Sequence, residues 1–201
     1  MKISEFLTNI LRLKGKELID ICEEKAVIEK VKKGDKIFLE GRKMEYVVLL
    51  VEGIFRGYFV DSADCEITDC IENKPGAPLM PGFDLSAPAL ATEEALTDGA
   101  VFKIKTADLH EIMARFPAVA SFYQKCLENG GQYHLEKSRM VSKSSMEQRY
   151  LWFLAAHSGI LNRIPDKYIA SYLRMSQVTF SKLHKKMSAN GAEKGKRYEN
   201  L

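Results

Sequence analysis

Ile164-Pro165-Asp166-Lys167-Tyr168-Ile169-Ala170-Ser171-Tyr172-Leu173-Arg174-Met175-Ser176-Gln177-Val178-Thr179-Phe180-Ser181-Lys182-Leu183-His184-Lys185-Lys186-Met187 reads as two short helices joined by a tight turn. Pro165 suits the first turn of a helix, where the N–H it lacks would have no partner. Ile169, Ala170 and Leu173 then share one face at helical spacing. Ser176 has the chemistry of an N-cap, and Val178, Phe180, Leu183 and Met187 supply apolar anchors with neither Gly nor Pro among them. Ala170 is the small residue that two closely crossing helices need at their contact. Arg174 stands in the turn, where Gly is common. This is the layout of a helix-turn-helix, whose second helix lies in the DNA major groove. The outward residues Gln177, Ser181, Lys182 and Lys185 match it, since Gln pairs bidentately with adenine and Lys donates to guanine or phosphate. An ordinary helical hairpin with a solvated basic face shares the pattern.

Charge distribution favours the first of these. Between Ser142 and Leu201 stand 11 Lys+Arg against 4 Asp+Glu; of the chain's 30 and 27, that leaves 19 against 23 before Ser142. A basic module joined to an acidic one is the electrostatic footprint of a nucleic-acid reader fused to a different domain. With 201 residues, 46% apolar and 28% charged, the chain has room and composition for one large or two modest globular domains. No apolar run approaches the roughly 20 residues of a membrane helix, and the Met1–Phe6 start lacks a secretory pattern. The expected location is cytoplasmic, with no membrane partner. Cys22, Cys65, Cys70 and Cys126 form no CxxC pair, and no His stands at zinc-ligand spacing from them. They read as free thiols, with a redox pair of Cys65 and Cys70 on adjacent strands as the alternative.

Upstream, Met1 to Glu24 has helical stripes (Phe6, Leu7, Ile10, Leu11; then Leu18, Ile19, Cys22). From Ala26 the period becomes that of strands: Val27–Val31, Lys36–Gly41, Tyr46–Val51, Ile54–Val60 and Glu66–Ile71, separated by Gly-containing turns. Short strands at near-regular spacing argue for a sandwich or barrel. Asn73–Thr97 is rich in Pro and Gly and reads as loop, with Ala87–Leu96 able to hold a helical turn or a strand. Ala100–Ile104 then closes the barrel, and Thr106 caps a short helix to Phe116. The longest helical pattern runs from Pro117 to about Val141. Val119, Phe122, Cys126, Tyr133 and Met140 mark a narrow seam on it, as in a coiled coil. Gly130-Gly131 is a defect of roughly 1 kcal/mol per residue against Ala. Ser142–Ser145 is a polar hinge. Ser145 with Gln148 makes a capping box opening a helix from Met146 to Ser158, which buries Leu151, Trp152, Leu154 and Ala155 and stops at Gly159. Ser188–Leu201 is expected to fray.

A barrel, a long interface helix, a hinge and a helix-turn-helix, in that order, resemble the Crp–Fnr family of bacterial regulators. The residues that carry the resemblance are Gly34-Asp35-Lys36-Ile37-Phe38, Glu40-Gly41, Val51-Glu52-Gly53 and Lys74-Pro75-Gly76 in the barrel. In the reader they are Tyr168–Leu173 and Met175–Lys182. The fold class so implied is α+β: a sensor β-barrel or jelly-roll of cyclic-nucleotide-binding type with flanking helices (1–116), a long dimerisation helix (117–141) and a helix-turn-helix domain (142–201). The resemblance implies a homodimer on an inverted-repeat duplex site, with RNA polymerase as a further partner. Position by position, its base-reading residues fall on Gln177, Val178, Ser181 and Lys182, with Thr179 on phosphate. Ser176 and Lys185 complete the expected DNA-binding set.

Two departures from the family stand out. Relatives that bind cyclic nucleotides hold the phosphate with a Gly-Glu pair and an Arg. Here 75–102 contains no Lys or Arg, and a buried phosphate needs a cation or many N–H donors. Asp84, Glu93 and Glu94 would repel it, the two glutamates otherwise reading as loop residues that face water. The expected effector is therefore a small molecule other than cyclic AMP, uncharged or weakly charged, lined by Phe83, Phe122 and Tyr123. Cluster-binding relatives use a cysteine group where this chain has Cys22 alone, and His110 and His134 are lone histidines, so no cofactor and no metal are expected. The second departure is Ser188–Glu193, too polar for the usual hairpin wing. No nucleophile–base pairing, P-loop or dinucleotide fingerprint is present, so an enzyme is not expected. The alternative function is a small-molecule sensor or interaction protein that does not read DNA sequence.

Overall fold

Helical and strand periodicity change over at Ala26, and so does the backbone. A computed structural model describes residues 1–82 and 84–189, and the chain divides into two compact units, Met1–Gly131 and Gln132–Leu201. The first opens with α1 (Ile3–Glu5), a π-helical turn (Phe6–Ile10) and α2 (Lys16–Lys25). The helix expected across Met1–Glu24 is broken at Arg12 (φ 59°) and Gly15 (φ 122°), because positive φ cannot continue a right-handed helix.

Among the described residues seven strands follow: β1 (Ala26–Val31), β2 (Lys36–Phe38), β3 (Tyr46–Glu52), β4 (Phe55–Val60), β5 (Glu66–Glu72), β6 (Thr92–Ala95) and β7 (Gly99–Lys105). They form two antiparallel sheets, β1-β7-β3 and β2-β6-β4-β5, which is the jelly-roll form of the expectation and not a closed barrel. Accordingly β7 closes nothing; it is the middle strand of its sheet, with Ile28 and Leu49 both opposite Phe102. The apolar run of β3 serves two cores because successive side chains point to opposite faces. Val47, Leu49 and Val51 pack with the helical segments. Val48 and Leu50 join Phe38, Phe55 and Ala95 in a second cluster.

The strands are followed by α3 (Thr106–Arg115) and α4 (Pro117–Lys143). Thr106 is not the cap of α3. Lys105 occupies that position without a side-chain hydrogen bond, while the Thr106 hydroxyl donates to the Met44 carbonyl at 3.2 Å. α4 runs unbroken through Gly130-Gly131 and past Val141, so the expected hinge shrinks to Ser144-Ser145.

In the second unit come α5 (Met146–Ala156), α6 (Asp166–Tyr172) and α7 (Gln177–Ala189). The capping box forms: the Gln148 N–H donates to Ser145 Oγ at 3.3 Å, and the Ser145 N–H to Gln148 Oε1 at 2.8 Å. The expected inner face of α5 does not. Tyr150 and Phe153 are buried, with His157 just beyond the helix, whereas Leu151, Trp152 and Leu154 are half-buried and Ala155 is exposed. Large apolar residues in close succession leave little amphipathic contrast to read, and the rings at i, i+3 and i+7 win the core by packing with Tyr172 and Phe180. The helix ends at Ala156, ahead of Gly159, which sits in the following turn at φ 77°. From Asn190 the expected frayed tail, and with it the wing, lies outside the described residues.

Candidate functional site

The turn between α6 and α7 is a Schellman motif. Met175 N–H donates to the Ala170 carbonyl and Arg174 N–H to that of Ser171, both at 3.0 Å. Such a motif wants a left-handed residue between them, usually Gly, and Arg174 supplies it at φ 54°. Ala170 is buried at this crossing, as expected. Ser176 caps α7: its Oγ accepts from the Thr179 N–H at 3.1 Å and lies 2.8 Å from the Thr179 hydroxyl.

Three inward residues hold α7 in place. Phe180 and Leu183 are buried, and His184 Nδ1 lies 2.8 Å from the Tyr150 hydroxyl while its ring stacks on Phe180. Gln177, Val178, Ser181, Lys182 and Lys185 fall on the opposite face, with Ser181 half-buried and the other four exposed. Val178 is therefore not a core anchor. It is 65% exposed, because two positions before Phe180 it points away from the packing face. Lys186, at the edge, is taken up by Glu147 on α5, whereas no ion pair among the described residues engages Lys182 or Lys185. One helix thus presents amide, hydroxyl and ammonium donors along a single rigid stripe.

The seam expected on α4 faces the chain itself. Val119 is buried and Phe122 and Cys126 line a cavity of the first unit, while Tyr133 pairs with Tyr172, hydroxyl to hydroxyl at 2.8 Å, and Met140 sulfur accepts from Ser144. Those positions already have partners or neighbours within the chain, Val119 buried and the other four half-buried. The other face carries Ala120, Gln124, Leu127, Gly131, Leu135 and Ser138, half-buried or exposed. Leu135 is 47% exposed, and a Cβ on Gly131 would meet nothing within 4 Å. Small residues alternating with leucine at 3–4 spacing suit close helix pairing.

Inside the first unit a buried arginine is held among carboxylates. Arg56, only 2% exposed, donates to Glu94 through Nε (2.8 Å) and Nη2 (2.6 Å), and Nη2 also reaches Glu66 at 2.5 Å. Its guanidinium lies 4.1 Å over the Tyr58 ring. Sequence reading passes over Arg56, although a charge amid Ile54-Phe55 and Tyr58-Phe59 on a strand is a signal for it. Glu93 and Glu94 are not loop residues facing water: they lie on β6, and Glu93 is 2% exposed with Oε1 unpartnered. Burial, with Glu72 and Asp69 nearby, pushes its carboxyl up to about 8, and burial pushes Glu72 up to about 7. Cys70 crowds the same spot, a Cβ on Gly57 falling 2.6 Å from its sulfur and 2.9 Å from Glu93 Oε2.

Cys65 does not sit on a strand beside Cys70; it precedes β5, which contains Cys70, so the two belong to one run of chain. All four cysteines are free. Of the expected effector-lining residues, Phe122 and Tyr123 line one apolar cavity of the first unit. Phe83 lies outside the described residues.

No protein-family model and no curated protein sequence matches the chain. Solved structures do. FixK2 from Bradyrhizobium japonicum superposes with a TM-score of 0.74 at 19% identity, over 83% of this chain and 86% of that one. The c-di-GMP-responsive global regulator CLP of Xanthomonas campestris gives 0.70 at 13% identity, over 88% and 93%. CooA of Carboxydothermus hydrogenoformans, as a double mutant, gives 0.66 at 18% identity, over 95% and 86%.

Proposed function

We propose that this chain, whose fold is Crp–Fnr-like, is a sequence-specific DNA-binding regulator that works as a homodimer on an inverted-repeat site. The observation that carries this reading is the stripe Gln177-Val178-Ser181-Lys182-Lys185 on a helix locked from behind by Phe180, Leu183 and His184. Gln177, Val178, Ser181 and Lys182 read base edges; Ser176, Thr179 and Lys185 meet phosphate. The dimer pairs α4 through Ala120, Leu127, Gly131 and Leu135 and sets two recognition helices about 34 Å apart, one DNA turn. RNA polymerase is the further protein partner of such a regulator.

The sensor unit takes an effector other than a cyclic nucleotide. With Arg56 committed to Glu66 and Glu94, Glu93 buried nearby, and no Lys or Arg across 75–102, the charge balance of this cluster disfavours a buried phosphate. An effector acts only by its differential affinity for the conformations it selects between.

Two substitutions test base reading against plain charge. Gln177→Ala relaxes base preference at one position in each half-site, about 1–3 kcal/mol of discrimination, with the salt dependence unchanged. Lys185→Ala weakens binding evenly across sequences and lowers the slope of log K against log salt by about one. Both would be measured by anisotropy titration on matched and mismatched duplexes. If both variants merely weaken binding evenly, the helix does not read sequence.

A further inference from the structure

The cavity in the first unit is walled by carbon and sulfur alone. Leu11 from the N-terminal segment, Leu49 and Phe102 from the three-stranded sheet, Ile112 from α3, Cys22 from α2 and Cys126 from α4 face it, beside Phe122 and Tyr123. Its volume is about 40 Å³. A single water needs roughly 10–15 Å³ and two to four polar partners, whereas benzene fills an engineered cavity of about 150 Å³. The space is therefore too apolar for ordered water and too small for a ring without movement of its walls.

The two thiols carry no charge into it. Burial pushes both Cys22 and Cys126 up to about 11, so near neutral pH each is an S–H, a small weakly polar wall group and no thiolate ligand. Among the described residues no group of three His, Cys, Asp or Glu is placed to hold a metal ion. One wall is less regular than the others. It comprises the π-helical turn Phe6–Ile10 and the segment through positive-φ Arg12, whose backbone hydrogen bonds are local, such as Leu11 N–H to Phe6 and Leu13 N–H to Leu7. Another wall is α4, the helix whose other face is the dimer seam proposed above.

We infer that this cavity is a binding site for an uncharged, apolar molecule of a few heavy atoms, a dissolved nonpolar gas or a short hydrocarbon. Apolar walls offer such a molecule dispersion contact and give a polar or ionic one no partner. The regulatory consequence rests on the proposed function: occupancy is felt by α4 through Val119, Phe122, Tyr123 and Cys126. The binding itself does not rest on it.

The probe is xenon, titrated by pressure into the full chain while methyl shifts are followed by NMR. Saturable shifts are expected at Leu11, Leu49, Ile112 and Val119, with Leu183 of the second unit unmoved. Cys126→Leu and, separately, Cys22→Leu fill the space with side-chain carbon, and each folded variant should bind xenon at least about five-fold more weakly, since a filled cavity leaves no room for the probe. An absence of saturable shifts in the native chain overturns the proposal whatever the variants do; so do shifts that persist at full strength in a folded, filled variant. The readout involves no DNA, so failure here leaves the DNA-reading proposal standing, and failure of that proposal leaves a xenon site intact.

Discussion

Phe180→Ala should destabilise the second unit by about 3–5 kcal/mol, the usual range for removing a fully buried aromatic ring. Phe180 has no exposed surface, its ring centroid lies 5.8 Å from that of Tyr150, and it stacks on His184 at 5.9 Å. Deleting the ring opens a cavity and removes the support of the Tyr150–His184 hydrogen bond, so α7 loses its seat. Typical domains have only about 5–15 kcal/mol in all, and specific DNA binding should vanish with the fold. The measurement is urea unfolding followed by fluorescence, which reports this unit because Trp152 is the chain's single tryptophan. Its indole N–H donates to Glu136, and its ring stacks on Tyr172. Val178→Ala is the control. Two residues away but solvent-facing, it should move stability by no more than about 0.5 kcal/mol. A Phe180→Ala loss below about 1 kcal/mol, far under the range for a buried ring, would contradict the packing described for α7.

The second large effect concerns pH. Glu93 has a carboxyl raised in the folded chain to about 8, and Glu72 one raised to about 7, both chiefly by burial. In the unfolded chain each ionises near its ordinary value of about 4.3. A group raised on folding contributes its stability fully below the unfolded value and loses it as pH climbs through the folded one. Between about pH 5 and 8 the unfolded chain therefore holds fewer protons than the folded, and stability falls as pH rises, by up to about 1.4 kcal/mol per pH unit for each group. Arg56 opposes the rise at Glu93 and Lys74 that at Glu72, while Cys70, held well above its ordinary value, stays an S–H throughout. Glu93→Gln keeps the shape and the neutral form but removes one titration. Thermal melts should show the variant close to the native chain near pH 5 and more stable by several kcal/mol near pH 8. Parallel stability–pH curves for the two proteins would contradict an ionisable, buried Glu93.

What can be read from sequence divides along physical lines. Signals that are local in the chain are legible: the Ser145–Gln148 box, the Ser176 cap, the Ala170 crossing, and the suggestion that Arg174 sits where glycine is favoured, which its positive φ bears out. So are β1 to β5 and β7, because strand periodicity is written within a few residues, whereas β6 lies in a stretch that reads as loop, helical turn or strand. Pairing is not. β6 lies between β2 and β4, and only that neighbourhood shows why Glu94 faces Arg56, 38 residues earlier, and why Glu93 is buried. The faces of α5 and α4 mislead for a related reason. Both helices have apolar residues on more than one side, so which side turns inward depends on Tyr172 and Phe180 for α5, and on the walls of the first unit for the start of α4. On α7 the outward positions of Gln177, Ser181, Lys182 and Lys185 follow from helical spacing, whereas Val178, which spacing and residue type present as an apolar anchor, is assigned to the outer face by its exposure.

Two copies of this chain are proposed to read DNA sequence through α7. The most direct test is selection of random duplexes by the full-length protein at near-physiological salt, run with and without cell extract as a source of effector. Enrichment of an inverted repeat whose half-sites are centred about 10–10.5 base pairs apart is expected, with enrichment lost when Gln177 and Lys182 are both changed to Ala. Sequence-indifferent recovery in both arms would contradict it and leave the chain a sensor whose basic helix only faces solvent.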